Sequence, residues 1–332
     1  MVIILFKKLT HATMVVRVSF FIRKNIMGVN EQLTDRERVE LTKKSYEYLQ
    51  LGDSITIGQY HVGVVCRVEH AKDGMSAFVI SNLSEITILF KGSYGIKKGT
   101  PQTWRDEWFK TNIPILRAML SNERRIPSQL KTASKFLNHV ISQFKGSRFY
   151  IYGHSLGSIN AQFALANCSH PEVIAAAYLY EGTNIWLLLT PKERRRVAQM
   201  RERIFNYVDI YDPVTLGITE THHMVGKLCY VDSEPMQPIK QHMWGGYQFN
   251  PDGSLKLRKI DQAFLAESRS EHKLLSRSGE LTDFIEKISS SDEIKKMATE
   301  KIDELTKRYP DHKSLVKLAE LFKNELLKDE DK

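Results

Sequence analysis

The segment Phe149–Leu165, FYIYGHSLGSINAQFAL, constrains the fold more than any other part of the chain. An apolar and aromatic run stops at Gly153, and alanine-rich sequence with helical character follows. Ser155 lies between Gly153 and Gly157, in the pattern Gly-x-Ser-x-Gly. Glycines at these two positions let a strand and a helix approach each other without Cβ clashes. The segment therefore predicts a strand, a sharp turn that presents the serine hydroxyl, and a helix.

Strand and helix candidates alternate along most of the chain. The first strand candidates lie within residues 54–93, where β-branched segments are broken at Gly58, Asn82 and Gly92. Farther along, short apolar strands are separated by helical segments of ten or more residues. This order predicts an α/β fold, with a mostly parallel sheet and helices on both faces.

Two capping boxes mark helices outside this alternating region. Thr34 with Glu37 begins a helix before the first strand, and Ser290 with Glu293 begins one of two amphipathic helices near the C-terminus. No strand candidate follows residue 262. We therefore expect an N-terminal segment at 1–30, an α/β domain at 31–262 and a C-terminal helical extension at 263–332. The apolar side of that extension either packs against its own domain or recruits a protein partner.

The N-terminal segment is apolar and basic, but lysine and arginine interrupt it before 18 apolar residues accumulate. It therefore predicts neither a secretory signal peptide nor a membrane anchor. Two interpretations stay open, a helix lying on a membrane surface or residues upstream of a start at Met27. The expected location is cytoplasmic, with export by a leaderless route as the alternative.

Charge and cysteine content exclude several classes of function. The 332 residues carry a formal net charge of +9, which favours anionic partners such as acidic lipid surfaces. No nucleic-acid-binding signature accompanies the charge, so we expect no nucleic acid partner. The sequence has no phosphate-binding or dinucleotide-binding glycine loop and no metal-ligand spacing, so we expect no cofactor and no metal. The three cysteines are too far apart for a metal or redox pair: Cys66, Cys168 and Cys229.

Three short motifs occur in an order that resembles a known family. They are ILFKGS at 88–93, GHSLGS at 153–158 and YDPVTLG at 211–217. Together they resemble the class 3 lipases, α/β-hydrolases that cleave acylglycerol and phospholipid esters. The resemblance covers about residues 75–250. It implies an α/β-hydrolase fold and a serine esterase activity.

The resemblance implies roles for residues at the first two motifs. Ser155 would be the nucleophile, and the backbone N–H groups of Ser93 and Leu156 would form the oxyanion hole. Lys91 replaces the family's usual arginine, and Ser158 replaces its usual second glycine. Neither replacement changes a residue that takes part in the chemistry.

The acid and the base should follow the serine in the order Asp then His. Asp212 matches the acid of the family motif, and Asp209 is the second choice. His242, in IKQHMWGGYQF, resembles the family's late catalytic histidine segment. His222 and His223 are the alternatives for the base, and are otherwise surface or structural histidines.

Trp104 and Trp108 follow the oxyanion segment and share one face of an expected helix. In the family the corresponding segment is a lid over the substrate site. The two indoles would then contact a lipid surface when the lid opens. Core packing is the equally favoured alternative.

These features predict a serine carboxylic ester hydrolase of the lipase or phospholipase A type, which acts on lipid esters through an acyl-enzyme. The expected partners are a lipid or ester substrate, a transient membrane surface and a protein at the C-terminal helices. One alternative is a small-ester esterase or acyltransferase with the same triad. Another is a secreted effector or binding module whose helical tail recruits a partner.

Overall fold

A computed structural model describes residues 28–82, 84–93, 126–212, 215, 223–236, 240–262, 265, 303 and 307. Trp104 and Trp108 of the expected lid and the alternative base His222 lie outside the described residues. The same holds for residues 1–27 and for nearly all of the C-terminal extension. The described residues form a sheet with helices on both faces, and the predicted α/β-hydrolase fold class is confirmed.

The elements are numbered in chain order. The strands are β1 Ser54–Ile57, β2 Tyr60–His70, β3 Ser76–Ser81, β4 Glu85–Phe90, β5 Arg148–His154, β6 Ile174–Tyr180, β7 Ile204–Val208 and β8 Lys227–Tyr230. The α-helices are α1 Val29–Gln32, α2 Asp35–Lys43, α3 Ser128–Gln143, α4 Leu156–Ala166 and α5 Pro191–Gln199. A 3₁₀ turn at Lys44–Tyr46 continues α2, and a wide helical turn covers Gln241–Gly245.

The eight strands lie in the sheet in the same order as in the chain. The pairings from β1 to β4 are antiparallel, and those from β4 to β8 are parallel. Because parallel crossovers are right-handed, a sequential order places all the connecting helices on one face. Helices α3, α4 and α5 accordingly share one apolar core with that face. The other face is covered by α2 and by the chain beyond β8.

Strand β5 shows how side chains divide between the two cores. Phe149 and Ile151 join the core under α3 and α4, whereas Tyr150 and Tyr152 join the core on the opposite face. This is the period of two expected for a strand buried on both faces. The serine turn that follows β5 is therefore held by packing on both sides.

Helix α2 begins where the sequence predicts. The Thr34 hydroxyl accepts a hydrogen bond from the Glu37 backbone N–H at 3.3 Å, and the Glu37 carboxylate accepts one from the Thr34 backbone N–H at 2.8 Å. This reciprocal cap sets the start of the helix. It presents Val39 and Leu41 to the second core.

Asn30 in α1 joins the chain's first described residues to the sheet. Its amide donates to Glu85 at 3.0 Å and to Thr87 at 2.9 Å, and its carbonyl oxygen accepts from the Tyr152 hydroxyl at 2.8 Å. The side chain is fully buried. Residues 28–30, which were assigned to the N-terminal segment, thus lie in the fold.

Candidate active site

Ser155 occupies a strained turn between β5 and α4. Its backbone has φ +56° and ψ −129°, a region that residues other than glycine rarely adopt. Its N–H donates to the Tyr180 carbonyl at 2.9 Å, which ties the turn to the neighbouring strand β6. The strain is therefore maintained by the sheet, as expected for a turn that lifts a hydroxyl above the strand ends.

The two glycines of the motif permit contacts that a side chain would block. A Cβ on Gly157 would lie 2.1 Å from the Phe90 carbonyl oxygen, and one on Gly153 would lie 2.5 Å from the Gly157 carbonyl oxygen. The first turn of α4 therefore rests directly against the end of β4. This contact brings the helix N-terminus next to the segment that carries Ser93.

A continuous hydrogen-bonded chain joins Ser155, His242 and Asp212. The Ser155 Oγ lies 2.8 Å from His242 Nε2, and His242 Nδ1 lies 2.7 Å from Asp212 Oδ2. All three side chains are buried, with exposed fractions of 0 or 1%. A carboxylate can only accept, so the imidazole donates from Nδ1 and its Nε2 accepts from the serine hydroxyl. This is the arrangement in which an imidazole removes the proton of a serine.

The alternative acid and base lie elsewhere. The Asp209 carboxylate accepts from the Ser233 hydroxyl at 2.6 Å and from the Gln241 side chain. His223 stacks on Trp186 with ring centroids 5.7 Å apart. The geometry brings Ser155 together with the first choices for acid and base, and not with the second choice of acid or with His223.

The candidate oxyanion residues lie beside the serine. Leu156 is the first residue of α4, whose leading N–H groups have no partner within the helix. Ser93 follows β4 and is 7% exposed, and its hydroxyl has no hydrogen-bond partner among the described residues. Both residues line one cavity of about 710 Å³. A donor from the helix terminus and one from the β4 segment therefore share the lining of one cavity.

The cavity has a mixed lining. Leu49, Phe78 and Leu156 supply apolar surface, and the nearly buried Lys91 lies among the charged residues of the wall. The wall therefore offers both apolar and polar surface to a ligand.

A second buried histidine supports the base. His154 Nε2 donates to the His242 carbonyl at 2.8 Å, and its Nδ1 accepts from the Tyr46 hydroxyl at 2.6 Å. Its ring stacks on Trp244 with centroids 3.7 Å apart. Burial, followed by the nearby His242, holds the pKa of His154 well below its usual range. His154 is therefore neutral, which matches one donating and one accepting nitrogen.

Sequence reasoning did not identify several residues around the site. Tyr46 carries no motif, and its contact with His154 spans 108 positions of sequence. Gln241 is adjacent to His242, and Glu181 directly follows strand β6. These positions in the sequence could have indicated that the two residues lie near the site.

The described residues contain neither a metal-ion cluster nor a membrane-spanning helix. No group of three or more His, Cys, Asp and Glu side chains in that part of the chain forms a metal-ion site. No helix among the same residues is long and apolar enough to cross a bilayer.

Comparisons with known proteins concern the fold. No family model matches the chain, and no curated protein matches it. It is similar to a mutant form of MDLA from Penicillium cyclopium, with 15% identity, a TM-score of 0.40, and coverage of 77% of this chain and 90% of that chain. It is also similar to a Rhizomucor miehei lipase in a propeptide complex, with 15% identity, a TM-score of 0.37, and coverage of 59% of this chain and 66% of that chain. A triacylglycerol lipase from Penicillium expansum has 13% identity and a TM-score of 0.37, with coverage of 59% of this chain and 77% of that chain. The chain has an α/β-hydrolase fold, and the solved structures it resembles include fungal lipases.

Proposed function

We propose that the protein is a serine hydrolase that cleaves carboxylic esters of lipids through an acyl-enzyme. The observation that carries this proposal is the hydrogen-bonded chain from Asp212 through His242 to Ser155, buried and centred on a strained serine turn. Such an arrangement converts a weakly nucleophilic hydroxyl into an effective one.

Acylation begins when the Ser155 Oγ attacks the ester carbonyl carbon. His242 Nε2 takes the serine proton, and Asp212 stabilises the imidazolium through Nδ1–H. The N–H groups of Leu156 and Ser93 donate to the oxyanion of the tetrahedral intermediate. The intermediate collapses as the carbon–oxygen bond to the alcohol breaks and His242 returns the proton to the leaving alcohol oxygen. The loss of one oxyanion donor in such sites lowers kcat by about 10²- to 10³-fold.

Deacylation uses the same residues with water. His242 Nε2 takes a proton from a water molecule, whose oxygen attacks the acyl carbonyl carbon. The second tetrahedral intermediate releases the fatty acid and returns the proton to the Ser155 Oγ. The enzyme is then ready for another ester.

Two features support a lipid ester as the substrate. The cavity beside Ser93 and Leu156 offers apolar surface for an acyl chain, together with polar groups near the reacting carbonyl. The net charge of +9 favours approach to acidic lipid surfaces. Lipids with anionic head groups are therefore the preferred substrates under this proposal.

Labelling with a fluorophosphonate probe tests the nucleophile. The wild type should be labelled, and Ser155→Ala should not be. Ser158→Ala is the matched control, because Ser158 is a buried serine in the first turn of α4 and its hydroxyl has no hydrogen-bond partner in the part of the chain that the structure describes. Equal labelling of the wild type and Ser155→Ala would contradict the proposal.

A parallel comparison tests the base. His242→Ala should be labelled far more slowly than the wild type. His223→Ala should be labelled at the wild-type rate, since His223 stacks on Trp186 away from Ser155. If only His223→Ala failed to be labelled, the base assignment would be wrong while the serine mechanism stood.

The substrate class is tested with esters of increasing acyl length. Hydrolysis of long-chain glycerolipid esters, measured as fatty acid release, should exceed that of acetyl esters at equal concentration. Activity confined to acetyl esters would contradict the lipid assignment and favour a small-ester esterase.

A further inference from the structure

Three carboxylates lie buried together on the acid side of the site. Glu181 directly follows β6, and Asp209 and Asp212 follow β7. Each has an exposed fraction of 0%. Carboxylates that share one buried site repel each other when both are ionised, so it is unfavourable for two of them to be charged and still more unfavourable for all three. At least one of them must therefore hold a proton at neutral pH or be strongly stabilised.

Hydrogen-bond donors distinguish the three groups. The Asp209 carboxylate accepts from the Tyr211 backbone N–H at 2.9 Å, from the Ser233 hydroxyl at 2.6 Å and from the Gln241 amide. Burial raises the pKa of the Asp209 carboxyl, and these three donors oppose that shift because they stabilise its ionised form. Asp212 faces the Nδ1–H of His242 and is stabilised as the imidazole acquires charge.

The ionised form of Glu181 is stabilised less than that of Asp209. One of its oxygens accepts from the Asp209 backbone N–H at 3.1 Å, and the other accepts from the Tyr247 hydroxyl, so Glu181 has two donors where Asp209 has three. Among the described residues, the groups that act most strongly on it are Asp212 and Asp209 from the β7 end and Tyr247 from the segment after His242, and none of these three is a cation. Burial, followed by these two carboxylates, raises the pKa of Glu181 well above its usual range. Glu181 is therefore the group that keeps its proton.

The backbone of Glu181 adopts a conformation that is unfavourable for residues other than glycine. Its φ is +48°, one of three positive values among the described non-glycine residues. A conformation of this kind persists only where the surrounding structure over-determines it. Here the surrounding structure includes the bonds from Glu181 to Asp209 and Tyr247.

We propose that Glu181 is a positioning residue that acts as a neutral carboxylic acid and holds the loop of Asp212 against the segment of His242. The link runs from Glu181 to the Asp209 backbone, and from the Asp209 carboxylate to Gln241, the residue directly before His242. Tyr247, five residues after His242, completes the link through its hydroxyl, which is hydrogen-bonded to Glu181. The inference rests on the proposed function, because the positioned pair is the candidate acid and base.

Kinetics of two variants test the positioning role. Glu181→Gln keeps the size, the neutral charge and an acceptor, so kcat should stay within about threefold of the wild type. Glu181→Ala removes the link, so kcat should fall by at least about tenfold, with KM changed less than kcat, because misplaced catalytic groups cost rate more than binding. Equal losses in both variants would show that the ionised carboxylate is needed, and wild-type kcat in Glu181→Ala would show that nothing is positioned. Either result overturns the proposal.

The pH dependence of unfolding tests the protonation state without any substrate. A carboxyl whose folded pKa is raised binds more protons in the folded state than in the unfolded state above its ordinary pKa of 4.5. The wild type should therefore lose stability relative to Glu181→Gln as pH rises above that value. The ratio of their unfolding constants should change by up to about tenfold per pH unit until the folded pKa is reached. A ratio that stays constant from about pH 5 to 8 would mean that Glu181 is ionised when folded, and would overturn the proposal.

The two measurements separate this inference from the proposed function. If Ser155→Ala were labelled like the wild type while the pH-dependent ratio were observed, the hydrolase proposal would fail and Glu181 would still be neutral. If labelling behaved as expected and the ratio stayed constant, the neutral acid alone would be rejected.

Discussion

At the scale of single residues, the structure separates two aspartates that lie only three positions apart. Asp212 faces the imidazole of His242 at 2.7 Å, whereas Asp209 accepts from Ser233 and Gln241 and anchors the loop. The Asp212 N–H donates to the Asp209 carbonyl at 3.0 Å, so the two are also joined through the backbone. Under the proposed mechanism, Asp212 orients the imidazole of His242, and Asp209 holds the loop that carries Asp212.

We expect Asp212→Asn to lower kcat by about 10⁴-fold, because an amide would favour the wrong tautomer of His242. Asp209→Asn keeps the Asp212 contact, so its kcat should fall by about 10²-fold or less, the cost of a misplaced group. Steady-state hydrolysis of one lipid ester by the two variants makes the comparison. A greater loss in Asp209→Asn than in Asp212→Asn would assign the acid role to Asp209.

At the scale of elements, the site depends on how closely α4 approaches the end of β4. Gly157 has no Cβ, and this lets the first turn of α4 touch the Phe90 carbonyl. The same approach brings Leu156 and Ser93 to one cavity. Backbone packing between a strand and a helix thus places the two candidate oxyanion residues, Ser93 and Leu156.

Gly157→Ala should displace the first turn of α4, because its Cβ would lie 2.1 Å from a backbone oxygen. Overpacking of this kind costs about 1 to 3 kcal/mol of stability, and kcat should fall by at least about tenfold as the oxyanion donors shift. Chemical denaturation and ester hydrolysis measure the two effects. Ser158→Ala, one residue farther along the same helix, should change both far less. Wild-type kcat in Gly157→Ala would contradict the role given to this contact.

An element can be predicted from the sequence when the residues that define it lie close together in the chain. The serine turn and the start of α2 could be predicted, because the Gly153–Gly157 spacing and the Thr34–Glu37 cap are sequence patterns that span only a few residues. The supports of the base could not be predicted, since Tyr46 and Glu181 meet their partners across long stretches of chain. No local pattern distinguishes a tyrosine that supports a histidine from one that fills a core.

At the scale of the whole molecule, the sequential strand order explains the order of the candidate residues in the chain. Ser93 follows β4, Ser155 follows β5, Asp212 follows β7 and His242 lies beyond β8. Because the carboxyl ends of parallel strands meet at one edge of a sheet, these residues converge there. The oxyanion segment lies on one side of the serine, and the acid and base lie on the other.

The stability of the whole molecule should depend on the contact between Asn30 and the sheet. Asn30→Ala leaves the Tyr152 hydroxyl, Glu85 and Thr87 without this partner, so the free energy of unfolding should fall by about 2 to 4 kcal/mol. Glu40→Ala breaks only an exposed ion pair and should cost less than about 1 kcal/mol. Denaturant unfolding measures both. Equal stability of Asn30→Ala and the wild type would mean that α1 does not hold the sheet.

The most direct test of the account is to identify the acylated residue. The enzyme is mixed with a long-chain glycerolipid ester and quenched in acid, and its mass and peptides are then measured. An acyl-enzyme on Ser155 predicts a transient mass increase of one acyl group on the peptide that contains Ser155, absent from Ser155→Ala and present in Ser158→Ala. Ester hydrolysis by Ser155→Ala at the wild-type rate, or an acyl group on another residue, would contradict it.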